Sequence, residues 1–167
     1  MTKSTEQPAY SLATNDLTDL VAYTEGPAGH AIVSKVALPA GSLLTPITTA
    51  TTAPRKLWST VQTSADKHIE LNSALLYMNH SCAPSVEIDV DKMEVRVARD
   101  RDLKVGEDLT FFYPSTEWEF DRPFECLCGA GKGKCVGKVA GAKFLDNEEL
   151  KRWFVNAHIL EMKKQAA

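Results

Sequence analysis

The chain has 167 residues, 44% hydrophobic and 25% charged, with a formal net charge of −3, which fits one ordinary globular domain able to bury a core without disulfides. Its Lys and Arg form no dense cluster; the four lysines from Lys132 to Lys143 are interleaved with Gly, Val and Ala and read as a solvated loop. Direct nucleic-acid binding is therefore not expected. No apolar run approaches the ~20 residues of a bilayer span. The opening MTKSTEQPAYSLATND has no apolar stretch before a cleavage site, so neither a membrane nor secretion is expected. An intracellular protein is expected, in nucleus or cytoplasm.

Residues 1–16 are polar and aperiodic and read as a loose arm. A short apolar run at 17–21 leads to the turn signal Glu25-Gly26-Pro27-Ala28-Gly29. Residues 31–36 read as a strand, 38–41 as a turn and 42–47 as a second strand interrupted at Pro46. Residues 48–53 form a Thr-rich loop, and 54–63 suit a short helix with Pro54 in its first turn. Ile69 and Leu71 mark a short strand, while 75–79 fits helix or strand equally. Val86, Ile88 and Val90, then Met93, Val95 and Val97, alternate with polar residues as a hairpin turning at Asp91-Lys92. Gly106 precedes the β-favouring run 109–113, which Pro114 ends. Asp146 and Glu149 form a capping-box start. Leu150, Trp153, Phe154, Ala157 and Leu160 then fall on one helical face. The fold class expected is mainly β with a C-terminal helix.

The four cysteines are Cys82, Cys126, Cys128 and Cys135, the last three within the segment ECLCGAGKGKC. Glycines there let the backbone fold tightly around an ion, and four thiolates fill the tetrahedral shell of zinc while excluding magnesium and calcium. Disulfides fit poorly with an intracellular chain. Unrelated buried thiols are the other reading, because Cys-x-Cys is a looser signature than paired Cys-x-x-Cys.

Asn79-His80-Ser81-Cys82-Ala83-Pro84 resembles the NHSC-x-P signature of SET-domain lysine methyltransferases. The run from Gly106 to Tyr113, GEDLTFFY, is similar to that family's second signature, and Cys126-Leu127-Cys128 with Cys135 resembles its post-SET zinc motif. Gly29-His30-Ala31, followed by Gly41, resembles the family's glycine-rich opening. The resemblance implies a pseudoknotted β fold with a post-SET zinc lid. Residues 17–113 would be the SET domain, 114–145 the post-SET segment and 146–167 the C-terminal helix. It also implies S-adenosylmethionine as cofactor, a structural zinc on Cys82, Cys126, Cys128 and Cys135, and a protein lysine, histone or non-histone, as substrate. Cofactor contacts would come from Gly29, His30, Ala31, Asn79 and His80, and Tyr113 would line the lysine channel.

Each assignment has a plainer counterpart. His80 would serve equally as a hydrogen-bonded core histidine, Tyr113 as a half-buried strand aromatic and Tyr77 as core packing. Trp118, Phe120 and Phe124 would either cover the site or simply pack. Four features depart from the pattern: Ala31 for the second Gly, Ser85 for Asn, Phe112 for the Asp before the closing Tyr, and a longer spacing before Cys135. The short stretch 48–73, where the family carries its substrate-choosing insert, leaves the substrate side open. Two other function classes follow: a scaffold that binds or transforms a small molecule, and a noncatalytic module held together by zinc.

Overall fold

The computed structural model describes residues 17–26 and 29–167; the expected arm at 1–16 and the tip of the turn at 27–28 lie outside the described residues. Twelve short strands are described: β1 (Val21–Gly26), β2 (Gly29–Ser34), β3 (Leu43–Pro46), β4 (Thr51–Thr52), β5 (Thr60–Gln62), β6 (His68–Glu70), β7 (Asn79–His80), β8 (Val86–Asp89), β9 (Glu94–Val97), β10 (Thr110–Phe111), β11 (Phe124–Glu125) and β12 (Lys138–Val139). Helices α1 (Asn147–Leu150) and α2 (Ala157–Gln165) close the chain. The expected mainly β architecture with a helical C-terminus is what forms.

The sheets are small. β1 and β2 make an antiparallel hairpin, β9 lies between β3 and β8, β6 between β4 and β5, and β11 pairs with β12. The period-two pattern of β8 and β9 explains their sheet: Val86, Ile88, Val95 and Val97 are all fully buried, while Glu87 and Arg96 face outward. With Ile32, Leu71, Leu75, Leu103, Leu109 and Phe111 they form the main core.

The arrangement that places the site is the parallel pairing of β7 with β10, Thr110 opposite Asn79 and Phe111 opposite His80. The two strands are separated in sequence by the whole β8–β9 hairpin, so the chain must wrap around itself. Residues 81–85 hold the crossing. The Ser81 N–H donates to the Phe111 carbonyl at 3.0 Å, and the Ser85 N–H to that of Thr110 at 3.1 Å. The Ser85 hydroxyl donates to the Asp108 carbonyl at 2.7 Å and accepts the Thr110 N–H at 3.0 Å. Ser85, a departure from the family pattern, is therefore itself part of the clasp.

Three local expectations are corrected. Residues 54–63 form no helix: the Thr60 hydroxyl donates to the Leu57 carbonyl at 2.9 Å and accepts the Leu57 N–H at 3.1 Å, closing a turn, and 60–62 pair with β6. Tertiary pairing outweighs the local signal of Pro54. The β8–β9 hairpin turns over residues 90–93 instead of two, with Met93 at φ 53° and the Lys92 N–H held by Asp89 at 3.0 Å. The C-terminal helix is two helices. The capping box of Asp146 and Glu149 forms, but the chain leaves the helix after Leu150 because Trp153 and Asn156 are held elsewhere. The Trp153 indole lies on Phe112 at 3.9 Å between ring centroids. Asn156, 1% exposed, binds across to β8. Consequently α2 buries Ile159 and leaves Leu160 46% exposed, unlike the single face expected.

A second core, built on Cys82, Phe112, Ala142, Leu150 and Ile159 with Trp118 and Trp153 against it, ties this C-terminal part to the crossing. Gly141 has φ 114°, and a Cβ there would lie 2.3 Å from the Trp118 carbonyl oxygen, so only glycine allows the chain to pass so closely.

Candidate active site and metal centre

Tyr113 follows β10 and opens a short 3₁₀ turn that Pro114 initiates. Its backbone N–H donates to His80 Nδ1 at 3.1 Å, and its phenol donates to the Met78 carbonyl at 2.9 Å. Burial pushes the phenol up to about 12, so Tyr113 is a neutral hydroxyl at physiological pH. His80 lies on the paired strand, its ring 5.3 Å from that of Tyr113; burial pushes it down to about 4, so it is neutral. Asn79, one residue earlier and pointing the opposite way as strand alternation requires, is exposed and donates its amide to the His30 carbonyl at 2.8 Å. That bond brings the start of β2, with Gly29, His30 and Ala31, against β7.

Aromatic rings line the surroundings. Phe120 and Phe124 lie 6.1 and 6.2 Å from Tyr113, Phe124 lies 6.0 Å from His80, and Phe111 lies 4.7 Å from Tyr113. On the β1–β2 side, Tyr23, His30 and Tyr77 form a second group with centroids 5.1 to 5.6 Å apart, in which the Tyr23 hydroxyl bonds His30 Nδ1. Neutral polar groups and aromatic faces of this kind suit an adenine ring and a sulfonium better than they suit anions. Of the three aromatics between Tyr113 and the cysteines, Phe120 and Phe124 face the site, whereas Trp118 packs in the second core. Phe112 turns away from Tyr113 and stacks on Trp153, which is what its replacement of an acid accomplishes here.

The four cysteines converge. One sulfur of each of Cys82, Cys126, Cys128 and Cys135 lies within 4.8 Å of all the others, and Cys82 and Cys126 are 3.8 Å apart. A tetrahedron of ~2.3 Å zinc–sulfur bonds has edges of about 3.8 Å. The donor set therefore fits a soft divalent ion. The extended chain at 126–128 aims both sulfurs one way and leaves Leu127 95% exposed on the other. Backbone N–H groups of Val136 and Gly137 donate to Cys82 and Cys135, each at 3.4 Å. Burial pushes the Cys82 thiol up, and Cys126 up to about 11. At Cys128 burial also raises the thiol, but backbone N–H groups of Cys82 and Ala130 outweigh it and bring it down to about 7. His80 Nε2 stands 3.4 Å from the Cys82 sulfur, so the cysteine cluster and the surroundings of Tyr113 touch through one ring.

Two groups of residues carried no signal in sequence. Buried Glu117 accepts the Gln62 N–H at 2.8 Å, and Gln62 in return accepts the Trp118 N–H at 2.9 Å. His68 lies 3.9 Å from Glu117. These bonds, with Lys56 donating to the Glu119 carbonyl and to Asp121, fasten the short insert to the turn beyond Tyr113. Asn156 donates to the carbonyls of Ile88 and Ser115 and accepts the Val90 N–H. Neither set has a characteristic spacing that could have been read in advance. A cleft of about 350 Å³ is lined by Cys82, Pro84, Arg99, Phe112 and Trp153, not by Tyr113 or Asn79. Among the described residues no helix is long and apolar enough to cross a membrane.

Comparison with known proteins agrees with this geometry. The SET domain profile matches residues 29–114. The chain is 50% identical over 129 residues to the protein named methyltransferase flvH of Aspergillus flavus, a match covering 77% of this chain and 71% of that protein. It is 33% and 32% identical, over 69 residues, to proteins of Chaetomium globosum and Aspergillus oryzae named histone-lysine N-methyltransferase, H3 lysine-36 specific. Each of those matches covers 39% of this chain and 7% of the relative. The profile covers the threaded strands and ends one residue past Tyr113, and with a relative matched over most of both chains, the chain belongs to the SET-domain family, whose methyltransferase members support methyltransferase activity here.

Proposed function

We propose that the chain transfers a methyl group from S-adenosylmethionine to the uncharged side-chain amine of a protein lysine, histone or non-histone, with Tyr113 at the reacting centre. The observation that carries this reading is the β7–β10 pair, which sets Tyr113 beside His80 among aromatic rings, while the neighbouring Asn79 reaches the start of β2. Backbone groups of Gly29, His30 and Ala31 would hold the methionine part of the cofactor, and Asn79 with the backbone of His80 the adenine side. The cofactor supplies an electrophilic methyl on a sulfonium. The chain supplies placement. Phe120 and Phe124 exclude water beside Tyr113, and a dry channel favours the neutral amine over an ammonium whose pKa is ~10.4 in water. The Tyr113 hydroxyl spends its proton on the Met78 carbonyl, which leaves its oxygen lone pairs to orient the amine and accept weak C–H contacts from the methyl. Alignment at near-attack distance then provides most of the acceleration. Zinc on the four cysteines would be structural, anchoring the segment that carries Phe120 and Phe124.

A second reading, methylation of an amine on a small molecule, is supported by the relative that matches over most of both chains. That protein is named only a methyltransferase, whereas the histone-directed relatives match over 7% of their length. The test is a transfer assay with labelled S-adenosylmethionine on zinc-loaded chain, offered core histones, a lysine-peptide array and a panel of primary amines. Label on protein or peptide lysine supports the first reading, and label confined to small amines supports the second. A Tyr113→Phe variant is expected to lose at least ~10-fold in rate; an unchanged rate removes Tyr113 from the chemistry.

A further inference from the structure

We infer that the His80 side chain is a positioning residue that couples the four-cysteine centre to Tyr113, and that it does not hydrogen-bond the cofactor. The inference rests on the four-thiolate reading of the cysteines. A neutral imidazole has two nitrogens, one donor and one acceptor. His80 Nδ1 accepts the Tyr113 N–H at 3.1 Å, so it carries no proton. The proton must then be on Nε2, which lies 3.4 Å from the Cys82 sulfur and donates to it. Both nitrogens are thus committed inside the protein. Phe112, Tyr113 and Phe124 surround the ring at 5.3 to 6.0 Å and hold its orientation. Any cofactor contact from this residue falls to its backbone on β7.

The consequence is a direct mechanical link. An N–H aimed at a metal-bound thiolate withdraws charge from the sulfur and favours its deprotonated, ligating form. The same ring fixes the backbone of the residue proposed to act on the substrate. Occupancy at Cys82 would therefore be felt at Tyr113 through one side chain, without movement of the sheets.

Two substitutions separate the ring's two bonds. In His80→Asn the side-chain oxygen takes the place of Nδ1 and can still accept from Tyr113, while nothing reaches Cys82. In His80→Gln the amide reaches the place of Nε2 and can still donate to Cys82. The full chain and both variants are titrated with zinc against a chromophoric chelator, reloaded with ¹¹³Cd for its NMR shift, and titrated with S-adenosylhomocysteine by calorimetry when metal-saturated. His80→Asn is expected to bind zinc ~10- to 100-fold more weakly and to move the ¹¹³Cd resonance, with His80→Gln recovering most of both. S-adenosylhomocysteine affinity should stay within about 3-fold of the parent in both, less than the tenfold that 1.4 kcal/mol represents. Unchanged zinc affinity and ¹¹³Cd shift in His80→Asn overturn the coupling, as does a tenfold loss of S-adenosylhomocysteine affinity with zinc binding intact. A parent chain that takes up no zinc overturns the four-thiolate reading and the coupling together, and this shows in the first titration, before any variant is compared.

Discussion

Replacing Asn156 by Ala probes the joint between the two cores. The residue looks like an ordinary helix cap at the start of α2, yet its side chain makes no capping bond. Its oxygen instead takes the Val90 N–H at 2.9 Å, and its amide donates to the carbonyls of Ile88 at 2.9 Å and Ser115 at 3.0 Å. In the variant Ser115 keeps the bond from the residue 156 backbone N–H at 3.0 Å, but Val90 and Ile88 each lose the partner that Asn156 supplied. A buried polar group left without a partner costs ~1–3 kcal/mol. With two such groups the loss is about 2–6 kcal/mol, a large share of the ~5–15 kcal/mol that stabilises a domain. Urea unfolding of metal-loaded parent and variant measures it as a drop in midpoint at unchanged slope. Asn156→Asp keeps the acceptor for Val90 but turns a carboxylate toward two carbonyls, so it should be destabilised at neutral pH as well. A loss below about 1 kcal/mol for Asn156→Ala, no more than one ordinary hydrogen bond, would refute the reasoning.

Glu117 carries a pH dependence with a definite sign. Burial raises its carboxyl from 4.5 to about 7, so the folded state bears no penalty below about 4.5 and an increasing one as pH rises through 7. Glu117→Gln keeps an oxygen for the Gln62 N–H and should match the parent near pH 4.5 while exceeding it by on the order of 3 kcal/mol above pH 7. Paired denaturation curves across that range check this, and a difference that does not grow with pH contradicts it. Cys126→Ser should abolish retention of the one zinc expected per chain through gel filtration and make the segment carrying Phe120 and Phe124 susceptible to proteolysis. Metal analysis and limited proteolysis read both effects, and undiminished zinc content rules out the four-thiolate centre.

What could be read from the sequence was whatever depends on short-range pattern or on the chemistry of a residue type. The alternation through 86–97 yielded β8 and β9, and the soft-ligand character of four cysteines led to their cluster before any coordinates placed Cys82 with the other three. The Asp146 and Glu149 capping box was equally visible. What escaped was decided by contacts distant in sequence. The 54–63 segment follows its pairing with β6 and the hold of Glu117 on Gln62, 55 positions away. The break between α1 and α2 follows from Trp153 reaching the Cys82 carbonyl and Asn156 reaching β8. The departures at Ser85 and Phe112 are explained only by folding: one clasps β10, and the other anchors the second core. The resemblance could nominate His80 for the cofactor, but only the geometry shows that both its ring nitrogens are already engaged.

The most direct test is a crystal of zinc-loaded chain grown with S-adenosylhomocysteine and measured at the zinc absorption edge. The account requires one anomalous peak at ~2.3 Å from all four cysteine sulfurs, with density for the whole S-adenosylhomocysteine molecule bounded by His30, Asn79 and Tyr113. A peak that omits Cys82, or a cofactor whose sulfur is seated away from Tyr113, contradicts it.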